Sequence, residues 1–373
     1  MIRPRTLQIV SELFPPDETS TSYILGMIAN ACARQYEVHV ICGPEVYDSH
    51  KVLDTEHPFE LNHDVTLHRV KGIGIDKNKA AGKAFSFVLM SSRLRRIASK
   101  MINEGDKVLL VTNPAPLILL ISRLRKKRNF ELNVLVHDVF PENTIPAGLH
   151  LPKWAYALIK KRFDKAYSRV DKFITLGRDM AEVVRKKAGE GPVIKVVENW
   201  AETDSITPIP FPNGAIKVEY AGNLGRVQGL DYLVSNLPEG IELHFYGTGA
   251  MEKTLKEMKH PNVYFHGPYF RSQQEEVLGA CHAAIVTLSE GMYGLGVPSK
   301  AYNIMASGRP VIYFGPIEGE IGRLVSENHI GYLGWPSVWD LDELKIMGER
   351  ARILAETQYC KTVILNKFLA ALR

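Results

Sequence analysis

The chain is poor in cysteine, and its four cysteines are dispersed. Cys32, Cys42, Cys281 and Cys360 form no CxxC pair and have no histidines at metal-ligand spacing, which indicates neither a zinc site nor a disulfide framework and fits a reducing cytosol. Long apolar runs are also missing. The longest, PAPLILLI at 114–121, falls far short of the roughly 20 residues that span a bilayer. The opening MIRPRTLQIVSELFPP has no apolar core followed by a small-residue cleavage site, so it does not read as a signal peptide. No GxxxxGK[ST] loop occurs, which argues against a P-loop nucleotidase, and no GxGxxG follows the first strand of either half, which argues against a dinucleotide dehydrogenase. No nucleic-acid reader motif accompanies the basic residues, and no nucleic acid partner is expected.

What is present is enough for two cores. The 373 residues are 45% hydrophobic and 23% charged, a composition of globular proteins, and suit two domains of ordinary size. Charge is unevenly shared: residues 1–200 carry 31 Lys+Arg against 22 Asp+Glu, and residues 201–373 carry 15 against 19, so one half is suited to an anionic surface. Apolar β-branched runs alternate with stretches of helical periodicity from residue 6 to 199: strands at 36–43, 66–70, 107–113, 132–138, 172–177 and 194–199, helices near 21–34, 79–103, 115–128, 153–169 and 178–188. Such alternation predicts a parallel sheet with right-handed crossovers. The rhythm stops at 202–214, ETDSITPIPFPNG, rich in proline, and resumes at 216 with a second series. The expected organisation is an N-terminal Rossmann-like domain over 1–201, a linker over 202–214, a C-terminal Rossmann-like domain over 215–355, and a final helix, 356–373, returning to the first domain. The fold class is α/β, two parallel sheets facing across a cleft.

Ligands of such sheets bind beyond the carboxyl ends of the strands, so the loops there carry the chemistry. The second half has three glycine-bearing loops of this kind, AGNLGRVQG at 221–229, YGTGA at 246–250 and EGMYGLGVPSK at 290–300. Loops without bulky side chains let backbone N–H groups face a diphosphate, with Arg226 as a guanidinium fork and Lys300 as a point charge. The same glycines also suit plain βα turns, with Ser299 capping the helix that follows and Arg226 lying on the surface. Glu290 and Asn303 have the chemistry to bind ribose or sugar hydroxyls, and equally that of a surface carboxylate and amide. In the first half, VHDVFPEN places His137 and Asp138 at a strand end, where His137 is suited either to bind or deprotonate a hydroxyl or to pack as a core histidine.

These motifs together resemble a family 4 retaining glycosyltransferase of GT-B architecture, of the bacterial surface-polysaccharide type (O-antigen, capsule or exopolysaccharide). The matching residues are Gly222, Asn223, Leu224, Gly225, Gln228, Gly229 and Leu230 in the first loop, and Val297 to Lys300, Tyr302, Met305, Ala306 and Gly308 to Val311 in the second. The early LFPPDETSTS loop, HDVFPEN and VVENW support it. The resemblance implies a nucleotide-sugar donor, UDP-sugar favoured, held by Gly222, Asn223, Gly225, Gln228, Gly247, Gly249, Glu290, Gly294, Gly296, Ser299 and Asn303. It implies an undecaprenyl-diphosphate-linked acceptor near Ser20, Thr21, Asp138 and Glu142, with His137, Arg226 and Lys300 catalytic. No metal and no cofactor are implied, since side-chain cations hold the leaving diphosphate. Three departures stand out: Asn303 where many members have glutamate, Gln228 where a lysine is usual, and Ser20 and Thr21 in place of a glycine pair. Alternatives are an epimerase of the same fold or a non-catalytic sugar- or partner-binding protein.

Between Lys71 and Lys100 lie eight Lys+Arg and one acidic residue, Asp76, interleaved with Phe85, Phe87, Leu89, Met90 and Leu94. This pattern suits an anionic membrane surface, with the protein cytoplasmic and peripheral at the inner face of the plasma membrane, and also suits a solvated helix with its apolar side on the core.

Overall fold

The computed structural model describes residues 5–17, 19–45, 58–72, 80–149, 151–225 and 228–373, and places side chains there except at residues 80, 81, 83 and 84. It divides into two compact units, one comprising residues 1–144, 150–197 and 365–373, the other residues 145–149 and 198–364.

The first unit is a seven-stranded, all-parallel sheet: β1 (Thr6–Ser11), β2 (Glu37–Cys42), β3 (Val65–Arg69), β4 (Lys107–Val111), β5 (Glu131–Val136), β6 (Lys172–Thr175) and β7 (Val193–Val196), in the order β3-β2-β1-β4-β5-β6-β7. Helices α1 (Ser20–Cys32), α2 (Ala80–Met101), α3 (Leu117–Leu124), α4 (Lys153–Tyr167) and α5 (Arg178–Ala188) follow β1, β3, β4, β5 and β6. Every residue of the central β4 is buried, as expected of a parallel strand covered on both faces. Helix α3 is much shorter than the expected 115–128. The basic RLRKKR run continues beyond its last residue, and two of its arginines are tied down: the Arg125 guanidinium grips the Asp171 carboxylate through Nε and Nη2, and Arg128 donates to the carbonyl of Ile102. The end of the chain also anchors here, where Lys107 Nζ donates 2.6 Å hydrogen bonds to the carbonyl of Leu372 and to Glu131.

The second unit is a six-stranded parallel sheet, β8 (Ile216–Ala221), β9 (Ile241–Tyr246), β10 (Val263–Gly267), β11 (Ala283–Thr287), β12 (Val311–Phe314) and β13 (Gly331–Leu333), ordered β10-β9-β8-β11-β12-β13. Its helices are α6 (Leu230–Ser235), α7 (Glu252–Glu257), α8 (Gln274–Gly279), α9 (Lys300–Ala306), α10 (Glu320–Asn328), α11 (Leu341–Thr357) and α12 (Lys361–Leu372), whose last residues belong to the first unit. Strand β13 and helix α10 escape the sequence reading: β13 is three residues long and only partly buried, so no apolar run marks it. Alternate residues of β11 feed two cores, Ala283 and Ile285 one, Ala284 and Val286 the other.

The proline-rich stretch 202–214 is held within the second unit by Arg352, which donates to the carbonyls of Ile206 (2.7 Å) and Thr203 (3.3 Å), and by Arg309. This guanidinium is fully buried, donates to the carbonyls of Cys281 (2.7 Å), Gly279 (2.9 Å) and Ile209 (3.0 Å), and lies 4.5 Å from the ring of Phe211. Arg309→Ala is expected to strand buried carbonyls and lower stability by about 3 kcal/mol, with Arg309→Lys rescuing little because it lacks the fork, both measured by urea unfolding.

Candidate functional site

The sheet order of the second unit reverses between β8 and β11, and the loops leaving those two strands flank a topological switch point, the usual ligand position of an open α/β sheet. The loop after β8 is locked to the loop after β9. Gly222 N–H donates to the carbonyl of Tyr246 (2.8 Å), Leu224 N–H to that of Thr248 (2.9 Å), and Met251 N–H to that of Leu224 (2.8 Å). The glycines permit this approach: a β-carbon on Gly247 would stand 2.0 Å from the Gly222 carbonyl oxygen, and one on Gly249 2.3 Å from that of Leu224. Thus Gly247 and Gly249 shape the first loop from behind. Over Gly225 stand the side-chain amides of Asn223 and Gln228.

The loop after β11 delivers Lys300, the first residue of α9, onto this platform. Its ammonium lies 3.6 Å from the centroid of the Tyr220 ring and 3.0 Å from where a β-carbon on Gly222 would be. Tyr220, at 2% exposure, is fixed from below by the core and from above by its hydroxyl, which donates to the carbonyl of Asn223 (3.1 Å). Burial pulls the Lys300 ammonium down to about 7, opposed by the negative charge of Glu219. Glu219 is itself fully buried on β8, and neither of its oxygens has a hydrogen-bond partner among the described residues. Burial pushes its carboxyl up to about 8, with Arg309 and Lys300 working in the opposite direction. A glycine-walled loop with the Lys300 ammonium over it, backed by a buried acid, is equipped to receive a diphosphate.

The other expected donor residues fall in three groups. Gly294 and Gly296 are buried in the third loop, and Glu290 is exposed at its start. Ser299 makes no capping hydrogen bond to α9, contrary to the plain-turn alternative. Asn303 is committed within the unit: its Oδ1 accepts from Glu202 N–H (3.1 Å) and its Nδ2 donates to Gln274 Oε1 (3.0 Å). Arg226 lies outside the described residues.

In the first unit, His137 is the first residue past β5. Its N–H and that of Asp138 both donate to Thr112 Oγ1, at 3.1 and 3.2 Å. Burial draws the imidazole down to about 4, so it is neutral at pH 7, and its Nε2 is buried without a partner among the described residues. Ser20 and Thr21 form the first turn of α1, which Thr19 caps. Glu142 is spent on structure, its two oxygens accepting from Lys187 Nζ at 2.8 and 2.9 Å, with Asp164 completing the cluster. Of the basic stretch 71–100, Lys77 and Lys79 and the side chain of Lys83 lie outside the described residues. On α2, Met90 and Leu94 are buried in the core while Phe85 and Val88 are exposed.

Glu219 and Tyr220 are the site residues that sequence reasoning overlooks. The one available signal is a glutamate inside an otherwise apolar central strand, IKVEYA, where a parallel sheet offers it no water.

Residues 215–337 match the family described as glycosyl transferases group 1. A curated relative, probable glycosyltransferase WbjE of Pseudomonas aeruginosa, is 29% identical over 395 aligned positions, covering 98% of this chain and 97% of that protein. Among solved structures, sucrose-phosphate synthase from Thermosynechococcus elongatus superposes with TM-score 0.73 at 13% identity, covering 98% of both chains. Anabaena HepE in complex with UDP superposes with TM-score 0.68 at 14% identity, covering 98% of this chain and 99% of that one. The chain therefore has the GT-B fold, and within it residues 215–337 resemble the glycosyl transferases group 1 family.

Proposed function

We propose that the chain is a retaining, metal-independent glycosyltransferase that moves a sugar from a nucleotide-sugar, a UDP-sugar before others, to a lipid-linked saccharide such as an undecaprenyl-diphosphate glycan in surface-polysaccharide synthesis. The observation that carries this reading is the Lys300 ammonium suspended over the glycine loop at the switch point of the second unit. In the reaction the bond between the anomeric carbon and the diphosphate oxygen breaks, an acceptor hydroxyl bonds to that carbon, and negative charge grows on the leaving diphosphate. A fixed cation there stabilises the transition state more than the ground state. Arg226 takes the remaining phosphate oxygens. His137, neutral and with Nε2 unspent, binds a sugar hydroxyl. Asn303, held by Glu202 and Gln274, aligns the start of α9 and meets the ribose with whatever capacity those bonds leave. The relatives support the donor class: the HepE structures hold UDP, UDP-glucose, or UDP and glucose.

Thermal unfolding in the presence of UDP, GDP, CMP, ADP and dTDP, each with its common sugars, tests this directly, because a ligand of the folded state alone raises its stability. About 2.7 kcal/mol is gained at a hundredfold excess over Kd. The expected result is a rise in Tm with the uridine set. Silence across all five nucleotides would favour a non-catalytic binding protein, and nucleotide-sugar turnover without any acceptor would favour an epimerase.

A further inference from the structure

Helix α4 presents a face that the fold does not use. Leu151, just before it, is 46% exposed, Trp154 74% and Leu158 45%. At 100° per residue Trp154, Leu158, Lys161 and Lys165 fall on one stripe, with Lys153 and Arg162 at its margins, while Phe163, Ala166 and Tyr167 point the opposite way into the core. The stripe is therefore apolar over its first half and cationic over its second. Lys153, Lys161, Arg162 and Lys165 are all exposed, and none is ion-paired among the described residues. The sole acidic residue of the helix, Asp164, is kept off this face by Lys160 and Lys187, both at 2.7 Å.

Tryptophan exposed to this degree is unfavourable in water and favoured at a bilayer interface, where its ring sits at headgroup level. Cations on the same stripe match anionic headgroups, and their long stems let the charges stay in that layer while Leu151, Trp154 and Leu158 enter the acyl boundary. Helix α2 is less well equipped: among its described side chains the exposed apolar ones are Phe85 and Val88, and Arg93 is partly occupied with the carbonyls of Lys71 (2.8 Å) and Gly72 (3.1 Å). We propose that the α4 face, led by Trp154, docks the first unit onto an anionic phospholipid bilayer. This rests on the lipid-linked acceptor of the proposed function and is independent of the donor site.

The test uses the whole chain with phosphatidylcholine vesicles and with vesicles containing phosphatidylglycerol at about one third. Of the four tryptophans, Trp200 is 6% exposed and Trp335 and Trp339 are partly buried, so Trp154 dominates a solvent-exposed signal. The expected result is sedimentation with anionic vesicles only, a blue shift of tryptophan emission on binding, and quenching by acyl-chain nitroxides. Trp154→Ser with Leu158→Ser should lower vesicle affinity at least tenfold, as should Lys161→Ala with Arg162→Ala and Lys165→Ala, with Tm and the nucleotide-induced Tm shift unchanged. Binding undiminished in both variants, or lost instead on Arg95→Ala with Arg96→Ala in α2, would overturn it. So would self-association abolished by Trp154→Ser in a chain that ignores vesicles. A failed nucleotide shift with α4-dependent vesicle binding would sink the donor site and leave the docking face standing.

Discussion

Lys300→Met is expected to cut turnover by about 10²- to 10³-fold, the range typical of removing one preorganised group from a developing negative charge. In the proposed transfer the loss should fall on kcat more than on KM, because the negative charge already present on the bound diphosphate grows further as it leaves. Stability should not suffer in parallel. The ammonium sits on the Tyr220 ring beside a buried acid, and an isolated buried charge weighs against the fold, so replacing it with an apolar chain of similar length is neutral or favourable to folding. This opposition separates function from fold: an inactive protein with an unchanged or raised Tm supports the assignment. Near-normal kcat in Lys300→Met, measured with the donor that gives the Tm shift, would remove Lys300 from the chemistry.

Most of the architecture was legible because parallel βα repeats write themselves in sequence as apolar runs alternating with helical periodicity. Strands such as β4, buried along its whole length, leave little room for another reading. The site was legible as loops but not as contacts. The glycines at 222, 247 and 249 were expected to face phosphate directly, whereas two of them serve to let one loop press against another, a function that spacing does not distinguish. The resemblance puts Glu142 near the acceptor, yet its partner Lys187 comes from α5, 45 residues on, a pairing invisible to local pattern. Asn303 likewise finds Glu202 and Gln274, 101 and 29 residues away. The seat of Lys300 on Tyr220 depends on β8 and β11 being neighbours, which follows from the sheet order rather than from either motif.

On the proposed function, the same seat should make donor binding depend on pH in a definite direction. In the free protein burial holds the Lys300 ammonium at about 7, so at pH 8 the lysine is largely neutral. A bound diphosphate brings negative charge beside it and raises that value, so between the two values binding takes up a proton from solution. Affinity for a UDP-sugar should therefore be flat below about pH 7 and fall by up to tenfold for each unit above it. Calorimetry at pH 8 in buffers of different ionisation enthalpy should give an uptake approaching one proton, absent in Lys300→Met. A sugar diphosphate is the better probe than free UDP, whose terminal phosphate titrates near about 6 on its own account. Glu219 extends the range. Held at about 8, it becomes an anion where Lys300 most needs one, and the two groups titrate as a coupled pair. Glu219→Gln should steepen the loss of affinity above pH 8. It should also remove a stability slope of opposite origin: the folded chain keeps the Glu219 proton that the unfolded chain releases, so wild-type stability falls between about pH 4.5 and 8, by at most about 1.4 kcal/mol per unit. A glutamine variant that retains both slopes would show that Glu219 neither holds that proton nor acts on Lys300.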